Sequence, residues 1–369
     1  MSTGFASHWL TNLRGIIHLT NIFISLGPLL WDDSDEFLPR WGEPNYFGEG
    51  LSKYPTDFTR DVHPVPCHSH NDYWRRVPLF EAIRYGVTGV EADVWLFDDD
   101  EELFVGHNTA SLTPNRTFRS LYIDPLVDIL DRQNPTTDFA NVTRHGVWDE
   151  DPEQSLVLLV DFKTSGEKTW PAVVEQLSVL RDRGYLTHFN GSAVVPGPVT
   201  VVATGNAPFD LVVANSTYRD IFFDAPLAMM YEDPTIPSSK KSQERLPKPL
   251  GSGGKDQGQG TSGLGANVTA DTFNKTNSFY ASVSFTESIG RTFGSKLSKQ
   301  QIKKIRGQIL GAQKRGLKVR YWGAPSWPIG LRNHIWEVLV TEGADMLNVD
   351  DLAAAAKTDW SKKKHRNWF

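Results

Sequence analysis

The run SLVLLVDFK, residues 155–163, is an almost unbroken apolar stretch that ends in an aspartate and a lysine. Such a run is typical of a strand that is buried on both faces, as in a parallel sheet covered by helices. Asp161 and Lys163 are two residues apart, so on a strand their side chains point to the same side. The segment therefore predicts a buried parallel strand with charged groups at its carboxyl end.

Similar runs recur along the chain past residue 60, with helical or loop segments between them. The eight predicted strands cover residues 62–67, 87–97, 155–163, 198–204, 220–225, 278–285, 317–323 and 344–350. Four amphipathic segments between them end at a glycine, the usual helix stop signal: Gly86, Gly184, Gly316 and Gly343. This alternation predicts an α/β fold, the (β/α)8 TIM barrel.

The chain of 369 residues is long enough for two domains, but one barrel can also reach this length. We assign residues 60–355 to the barrel, residues 1–59 to a leader and residues 356–369 to a basic C-terminal tail. Residues 236–278 are rich in Gly, Ser, Lys and Gln and nearly free of large apolar side chains. We therefore expect most of them to form a disordered, low-complexity insertion after the fifth strand.

Composition narrows the classes of partner. The formal net charge of −6 argues against a general nucleic-acid binder and provides no basic footprint for an anionic membrane. Cys67 is the only cysteine, so the chain can form no internal disulfide and no multi-cysteine zinc site. We expect a buried, structural thiol at Cys67.

The N-terminal leader contains an apolar run at residues 15–30. It is interrupted by polar residues and is too short for a comfortable membrane span, but its length suits the core of a signal peptide. Six N-x-S/T sequons favour a secretory route and a glycoprotein, at Asn115, Asn141, Asn190, Asn215, Asn267 and Asn274. The predicted location is the secretory pathway, secreted or membrane-associated, with mitochondrial association as the open alternative.

Ionisable side chains gather at the predicted strand ends, where barrels of this type carry their active sites. In chain order they are His68, His70, Glu91, Asp93, His107, Asp161 and Lys163. If the three carboxylates face the barrel axis, a cation must offset their repulsion, and all-oxygen ligands favour Mg²⁺, with Ca²⁺ as the alternative. Two histidines beside such a cation suit phosphodiester cleavage, with one imidazole as base and the other as acid.

His68 and His70 also form an H-x-H pair, which opens the metal site of many amidohydrolase-type enzymes. Such a site needs further histidines at later strand ends, and those ends read ATGN, DAPL, SFTES and YWGAP. Only Asp350 or Asp351, after the last strand, fits that pattern. An amidohydrolase-like metal hydrolase is therefore the less favoured hypothesis.

The motifs HSHND, VEADVW, VGH and VDFK resemble those of the phospholipase C-like phosphodiesterase superfamily. That superfamily contains the glycerophosphodiester phosphodiesterases and the sphingomyelinase D toxins. Residues 60–355, including ATGN, RYWGAP and LNVDDL, are most similar to the fungal family named altered inheritance of mitochondria protein 6. The resemblance implies the metal ligands Glu91, Asp93 and Asp161 and the catalytic residues His68 and His107.

The toxins' H-x-x-N motif matches His68 and Asn71, which favours His68 over His70 as the catalytic residue. Lys163, Asn71, His70 and Trp322 are the predicted substrate contacts. The chain has HSH where glycerophosphodiesterases have H-R-G, lacks their E-N-T motif and has Asn108 after His107 in place of aspartate.

We expect a metal-dependent phosphoric diester hydrolase that acts on a phospholipid or glycerophosphodiester-like small molecule. Contact with a membrane surface is compatible with this function, and we expect no nucleic-acid partner. A catalytically weak barrel that binds a phosphorylated ligand or partner is the alternative. The sequence does not predict the oligomeric state.

Overall fold

The structure is a computed structural model that describes residues 15–22, 59–98, 101–136, 144–234, 263–265, 267–292 and 296–358. Eight parallel strands form its centre, each paired with its neighbours in chain order. They are β1 Val65–Ser69, β2 Val87–Trp95, β3 Leu156–Phe162, β4 Val199–Gly205, β5 Ile221–Pro226, β6 Ser278–Ser284, β7 Lys318–Trp322 and β8 Met346–Val349. Because β1 pairs with both β2 and β8, the sheet closes, and the predicted TIM barrel is confirmed.

The first strand differs most from its predicted bounds. It begins at Val65, because Pro64 has no N–H to donate, and Val65 N makes a hydrogen bond to Gly86 O at 2.7 Å. It runs to Ser69, and His70 N continues the ladder to Val349 O at 3.0 Å. His68 therefore lies on the strand itself, whereas His70 lies just past its end.

Helices cover the outside of the barrel. They are α1 Phe80–Arg84, α2 Asp124–Gln133, α3 Gly166–Gln176, α4 Ser178–Asp182, α5 Phe209–Val212, α6 Phe285–Ile289, α7 Lys299–Lys314, α8 Ile329–Glu342 and α9 Leu352–Ala356. The four glycines predicted to stop helices follow α1, α4, α7 and α8, and all have a positive φ, between 71° and 94°. Short strands Phe104–Val105, His188–Phe189 and Val194–Val195 lie in the connections.

The barrel interior changes from apolar to polar along the strands. Val157, Leu159, Val202, Tyr280 and Met346 form a buried cluster inside the barrel towards the amino ends of the strands. On β3 every second side chain points into the barrel, so the residue that follows Leu159 on the inner face is Asp161. This apolar cluster fills the barrel near the amino ends of the strands, so the polar side chains lie near the carboxyl ends.

The predicted insertion, residues 236–278, lies largely outside the described residues, but its last part is ordered on the barrel. Phe273 is fully buried, and its ring stacks on Phe223 with centroids 6.0 Å apart and contacts Phe209 at 5.2 Å. The low-complexity segment therefore ends earlier than residue 278, because this one large aromatic side chain anchors the chain in front of β6.

The leader is described only at residues 15–22 and 59. Residues 15–22 are helical, and Ile16, Ile17, Leu19 and Ile22 are exposed. Among the helices of the described residues, none has the length and apolarity that a membrane span requires. Cys67 is buried as expected, and burial raises the pKa of its thiol to about 12.

Candidate active site

Three predicted carboxylates meet at the carboxyl end of the barrel. Glu91 and Asp93 lie on β2, and Asp93 is directly opposite Asp161 of β3 in the strand register. All three are buried, and each offers an oxygen within 4.8 Å of the others. Within the described residues this is the one group of three or more His, Cys, Asp or Glu side chains that could hold a metal ion.

Two cations partly offset these charges. Lys163 Nζ donates to Asp161 Oδ2 at 2.7 Å and lies 3.0 Å from Asp93 Oδ2. Deeper in the barrel, the buried Arg320 lies 3.6 Å from Asp224 Oδ2 and donates to Asn348 Oδ1 at 2.8 Å. The four buried carboxylates Glu91, Asp93, Asp161 and Asp224 thus face Lys163 and Arg320, so negative groups outnumber these two cations. A bound cation would reduce that excess of negative charge.

The pKa values of the carboxylates reflect this imbalance. Burial, and then the charge of Asp161, raises the pKa of Asp93 well above its ordinary value. Burial also raises the pKa of Asp161. Burial acts in the same direction on Glu91, but the charges of His70 and Arg320 outweigh it and lower the pKa of Glu91 to about 2. Without a cation, the two aspartates are the groups whose ionisation the site opposes.

The donor set fits a hard cation. Asp93 Oδ1 and Asp161 Oδ1 are buried, and neither has a hydrogen-bond partner among the described residues, while Lys163 contacts the Oδ2 atoms. Gly205 ends β4 beside Asp161, and a Cβ at this position would overlap Asp161 Oδ1. The absence of that side chain preserves the space around the free oxygen. Carboxylate oxygens are ligands that Mg²⁺ and Ca²⁺ prefer in proteins, and two of them are left without a hydrogen bond here.

His70 lies at the mouth of the barrel on the Glu91 side. Its Nδ1 is 2.8 Å from Asp350 Oδ1, and its Nε2 is 4.0 Å from Glu91 Oε2. Burial alone would lower the pKa of His70, but the Glu91 charge and the Asp350 hydrogen bond raise it above its usual value. The imidazole is thus held by one carboxylate and directed towards another.

His107 lies on the opposite side, next to Asp93. Its Nδ1 is 3.8 Å from Asp93 Oδ2 and 3.3 Å from Tyr73 Oη, and its ring packs on Trp74 with centroids 4.8 Å apart. The side chain is 46% exposed. Burial and the Lys163 charge hold the pKa of His107 below its usual value. The site therefore has an accessible imidazole on each side of the carboxylates.

His68 lies inside the barrel and is fully buried. Its Nδ1 is 3.5 Å from Tyr280 Oη, and the two rings meet edge to face. Burial, and then the Arg320 charge, lowers the pKa of His68 well below its usual value. Its Nε2 has no hydrogen-bond partner in the described part of the chain. The two histidines of the H-x-H pair therefore occupy different environments.

Of the predicted substrate contacts, Asn71 joins the carboxylate cluster directly. It has a left-handed conformation with a φ of 48°, and its N–H donates to Glu91 Oε2 at 2.9 Å. Trp322 is half-buried at the end of β7, two residues after Arg320. A cavity of about 570 Å³ lies past the carboxyl ends of β2 and β3 and contains none of the site residues in its lining, which consists of Leu96, Phe97, Asp98, Thr164, Ser165, Lys168 and Thr169.

Two further residues of the site, Tyr73 and Arg320, were not predicted from the sequence. Tyr73 follows the H-x-H pair, and its hydroxyl contacts both Asn71 and Asp93 at 2.6 Å. Arg320 could have been found, because an arginine within the strand sequence KVRYW is as difficult to bury as Glu91. Nothing in the local sequence of Tyr73 indicates that its hydroxyl points towards β2.

Comparisons with known proteins assign the chain to a family. Residues 56–224 match the model of an AIM6-like phosphodiesterase domain, a region that contains all three carboxylates and Lys163. The chain thus carries a phosphodiesterase-type domain. It belongs to the altered inheritance of mitochondria protein 6 family.

Two relatives show the extent of the similarity. The altered inheritance of mitochondria protein 6 homolog of Arthroderma benhamiae is 40% identical over 316 residues, which is 83% of this chain and 87% of the relative. Altered inheritance of mitochondria protein 6 of Eremothecium gossypii is 35% identical over 312 residues, 81% of this chain and 71% of the relative. No solved structure matches the chain significantly.

Proposed function

We propose that the protein is a metal-dependent phosphodiesterase that hydrolyses a phospholipid or a glycerophosphodiester-like substrate at the mouth of its barrel. One observation carries the proposal: three buried carboxylates and Lys163 converge at a point that has an imidazole on either side. The phosphodiesterase-type domain supports the reaction class.

Glu91, Asp93 and Asp161 would hold the cation, with Mg²⁺ as the first candidate and Ca²⁺ as the second. The ion would neutralise phosphate charge and polarise the phosphorus–oxygen bonds. Lys163 adds a fixed positive charge next to the same carboxylates, so it is suited to bind a phosphate oxygen. Asn71 and Trp322 remain proposed substrate contacts.

Hydrolysis of a phosphodiester requires one group that takes a proton from the attacking oxygen and another that protonates the leaving alcohol. His107 stands on the Asp93 side and His70 on the Glu91 side. The resemblance assigns the second role to His68, but a fully buried imidazole inside the barrel cannot exchange protons with solvent easily. The geometry therefore favours His70 and His107 as the two proton-transfer groups, with His68 as a buried residue inside the barrel.

The amidohydrolase-like alternative is not favoured. In the described residues, the group able to hold a metal contains carboxylates alone, and His70 Nδ1 is engaged by Asp350. The catalytically weak barrel is the rival that requires an experiment, because the same geometry could bind a phosphorylated ligand without turnover.

For the cellular location of the protein we propose the secretory pathway, with mitochondrial association as the alternative. The asparagines of four sequons are exposed, at Asn115, Asn190, Asn215 and Asn267, and Asn274 is half-buried, while Asn141 is outside the described residues. These positions are compatible with glycans and with the secretory route. The names of the relatives refer to mitochondria, which favours the mitochondrial alternative.

The direct test is a screen of phosphodiester and phospholipid substrates with Mg²⁺ or Ca²⁺, with and without chelator. We expect turnover that is lost on chelation and lost in Glu91→Gln. Lys163→Met should retain cation binding but lose most activity. Phosphodiester binding without turnover under any condition would favour the weak barrel, and chelator-resistant turnover would refute the metal site.

A further inference from the structure

Tyr73 is a buried tyrosine whose hydroxyl lies at the centre of the site. It belongs to the helical turn Asp72–Trp74, directly after the left-handed Asn71. Its Oη is 2.6 Å from Asp93 Oδ2, 2.6 Å from Asn71 Oδ1 and 3.3 Å from His107 Nδ1. One phenol thus contacts a proposed metal ligand, a proposed substrate contact and a proposed proton-transfer group.

A phenol has a single proton but can also accept hydrogen bonds. Asp93 and Asn71 compete for that proton, and an ionised carboxylate is the stronger acceptor. Donation to Asp93 Oδ2 leaves Oδ1, which has no hydrogen-bond partner among the described residues, as the oxygen for a cation. The phenol oxygen can then accept a hydrogen bond from Nδ1–H of His107, which leaves Nε2 of that ring for the substrate.

We infer that Tyr73 is a positioning residue that fixes the side chain of Asp93 for the cation and the tautomer of His107 for proton transfer. The inference rests on the proposed function. The packing of Trp74 on His107 supports it, because the same short turn holds the ring from a second direction. Hydrogen bonds of this kind orient metal ligands and are typically worth 10–100-fold in metal affinity.

Tyr122 provides a matched control. It is also a buried tyrosine near the site, but its hydroxyl lies 3.0 Å from the backbone oxygen of Glu91 and 3.2 Å from Asp72 Oδ2, the two acceptors for its one proton. Neither contact involves the side chain of a proposed metal ligand. Tyr122→Phe therefore removes a buried hydroxyl from the same region without releasing Asp93.

The experiment is calorimetric titration of the full chain with Mg²⁺ or Mn²⁺, comparing wild type, Tyr73→Phe and Tyr122→Phe, with circular dichroism to check folding. We expect affinity about 10–100-fold weaker in Tyr73→Phe and within about twofold of wild type in Tyr122→Phe. In the wild type, ¹⁵N shifts of His107 should show the Nδ1–H tautomer, a readout that does not depend on a variant that folds.

Each outcome separates the hypotheses. Equal affinity in wild type and Tyr73→Phe, or an Nε2–H tautomer of His107 in the wild type, would overturn the role of Tyr73 while leaving the metal site intact. An equal loss of affinity in Tyr122→Phe would reduce Tyr73 to a packing residue. Failure of the wild type to bind any divalent cation would overturn the proposed function and this inference together.

Discussion

His70 Nδ1 lies 2.8 Å from Asp350 Oδ1, so the residue after β1 is joined to the residue after β8 where the barrel closes. The carboxylate accepts a hydrogen bond from Nδ1–H, and Nε2 then faces Glu91, 4.0 Å away. Because the partners come from opposite ends of the barrel sequence, closure of the barrel sets the position of the imidazole.

The contact between His70 and Asp350 predicts that His70 contributes more to kcat than His68. His70→Ala should lower kcat by about 10²–10⁴-fold, the usual contribution of a positioned proton-transfer group, and Asp350→Asn should lower it by less. The resemblance predicts the larger effect for His68→Ala instead, so the two kcat values decide between them. Asp351→Asn is the control, because Asp351 caps α9 and pairs with Arg332. A greater loss in His68→Ala would restore the assignment based on H-x-x-N spacing.

Burial of His68 predicts a pH dependence of stability. Its folded pKa is lowered well below the usual value of 6.5, so below about pH 6.5 the unfolded chain binds a proton that the folded chain excludes. The contribution to stability is present above that pH and is lost as the pH falls, by about 1.4 kcal/mol per pH unit for one proton. In chelator, a fall from pH 7 to pH 5 should be less destabilising in His68→Gln than in wild type, as measured by urea unfolding, with a substitution of the exposed His145 as the control. An unchanged slope in His68→Gln would contradict the buried, neutral imidazole.

The raised pKa of Asp93 predicts that the site opposes folding when no cation is bound. Because the folded protein holds the Asp93 proton more tightly than the unfolded chain, ionisation lowers stability as the pH rises above about 4. Asp93→Asn should therefore be more stable than wild type in chelator at pH 7. Wild type, but not the variant, should gain about 2.7 kcal/mol at a cation concentration of 100 times Kd. Thermal unfolding with and without Mg²⁺ measures both effects, and a variant less stable than wild type in chelator would show that the carboxylate contributes to the fold.

The carboxylate cluster and the barrel could be predicted from sequence because both follow short-range rules. The two-residue period of strands places Glu91 beside Asp93, and apolar runs mark the strands.

The different depths of His68 and His70 in the barrel could not be predicted in this way. Both point to the same side of the chain, and their depth depends on the residue at which β1 ends, which pairing with β8 determines. Tyr73 was missed because a left-handed turn at Asn71 directs its hydroxyl to β2.

Phe273 predicts where the insertion can be shortened. Replacement of residues 238–262 by a short Gly/Ser linker should leave the melting temperature nearly unchanged, because the replaced sequence is poor in large apolar groups. Phe273→Ala should cost about 3–5 kcal/mol, since it empties a fully buried aromatic site against Phe209 and Phe223. Differential scanning calorimetry of both variants tests this boundary, and a large loss in the linker variant would show that the segment packs on the barrel.

Substitution of Gly205 tests whether Asp161 binds the cation, with Gly184 as a control for backbone strain. Its φ is +67°, and an added Cβ would overlap Asp161 Oδ1. Gly184 at the end of α4 has a similar φ of +71°, but an added Cβ there would meet open space, with no atom of another part of the chain within 4 Å. Both Gly→Ala variants should lose about 1 kcal/mol or more from the left-handed conformation. Only Gly205→Ala should displace Asp161 and weaken cation binding, by at least tenfold in calorimetric titration, because a carboxylate that moves out of position can no longer complete the ligand set. If Gly205→Ala binds the cation as tightly as Gly184→Ala, the free oxygen of Asp161 is not a ligand, and the cation would have to be held by Glu91 and Asp93 without it.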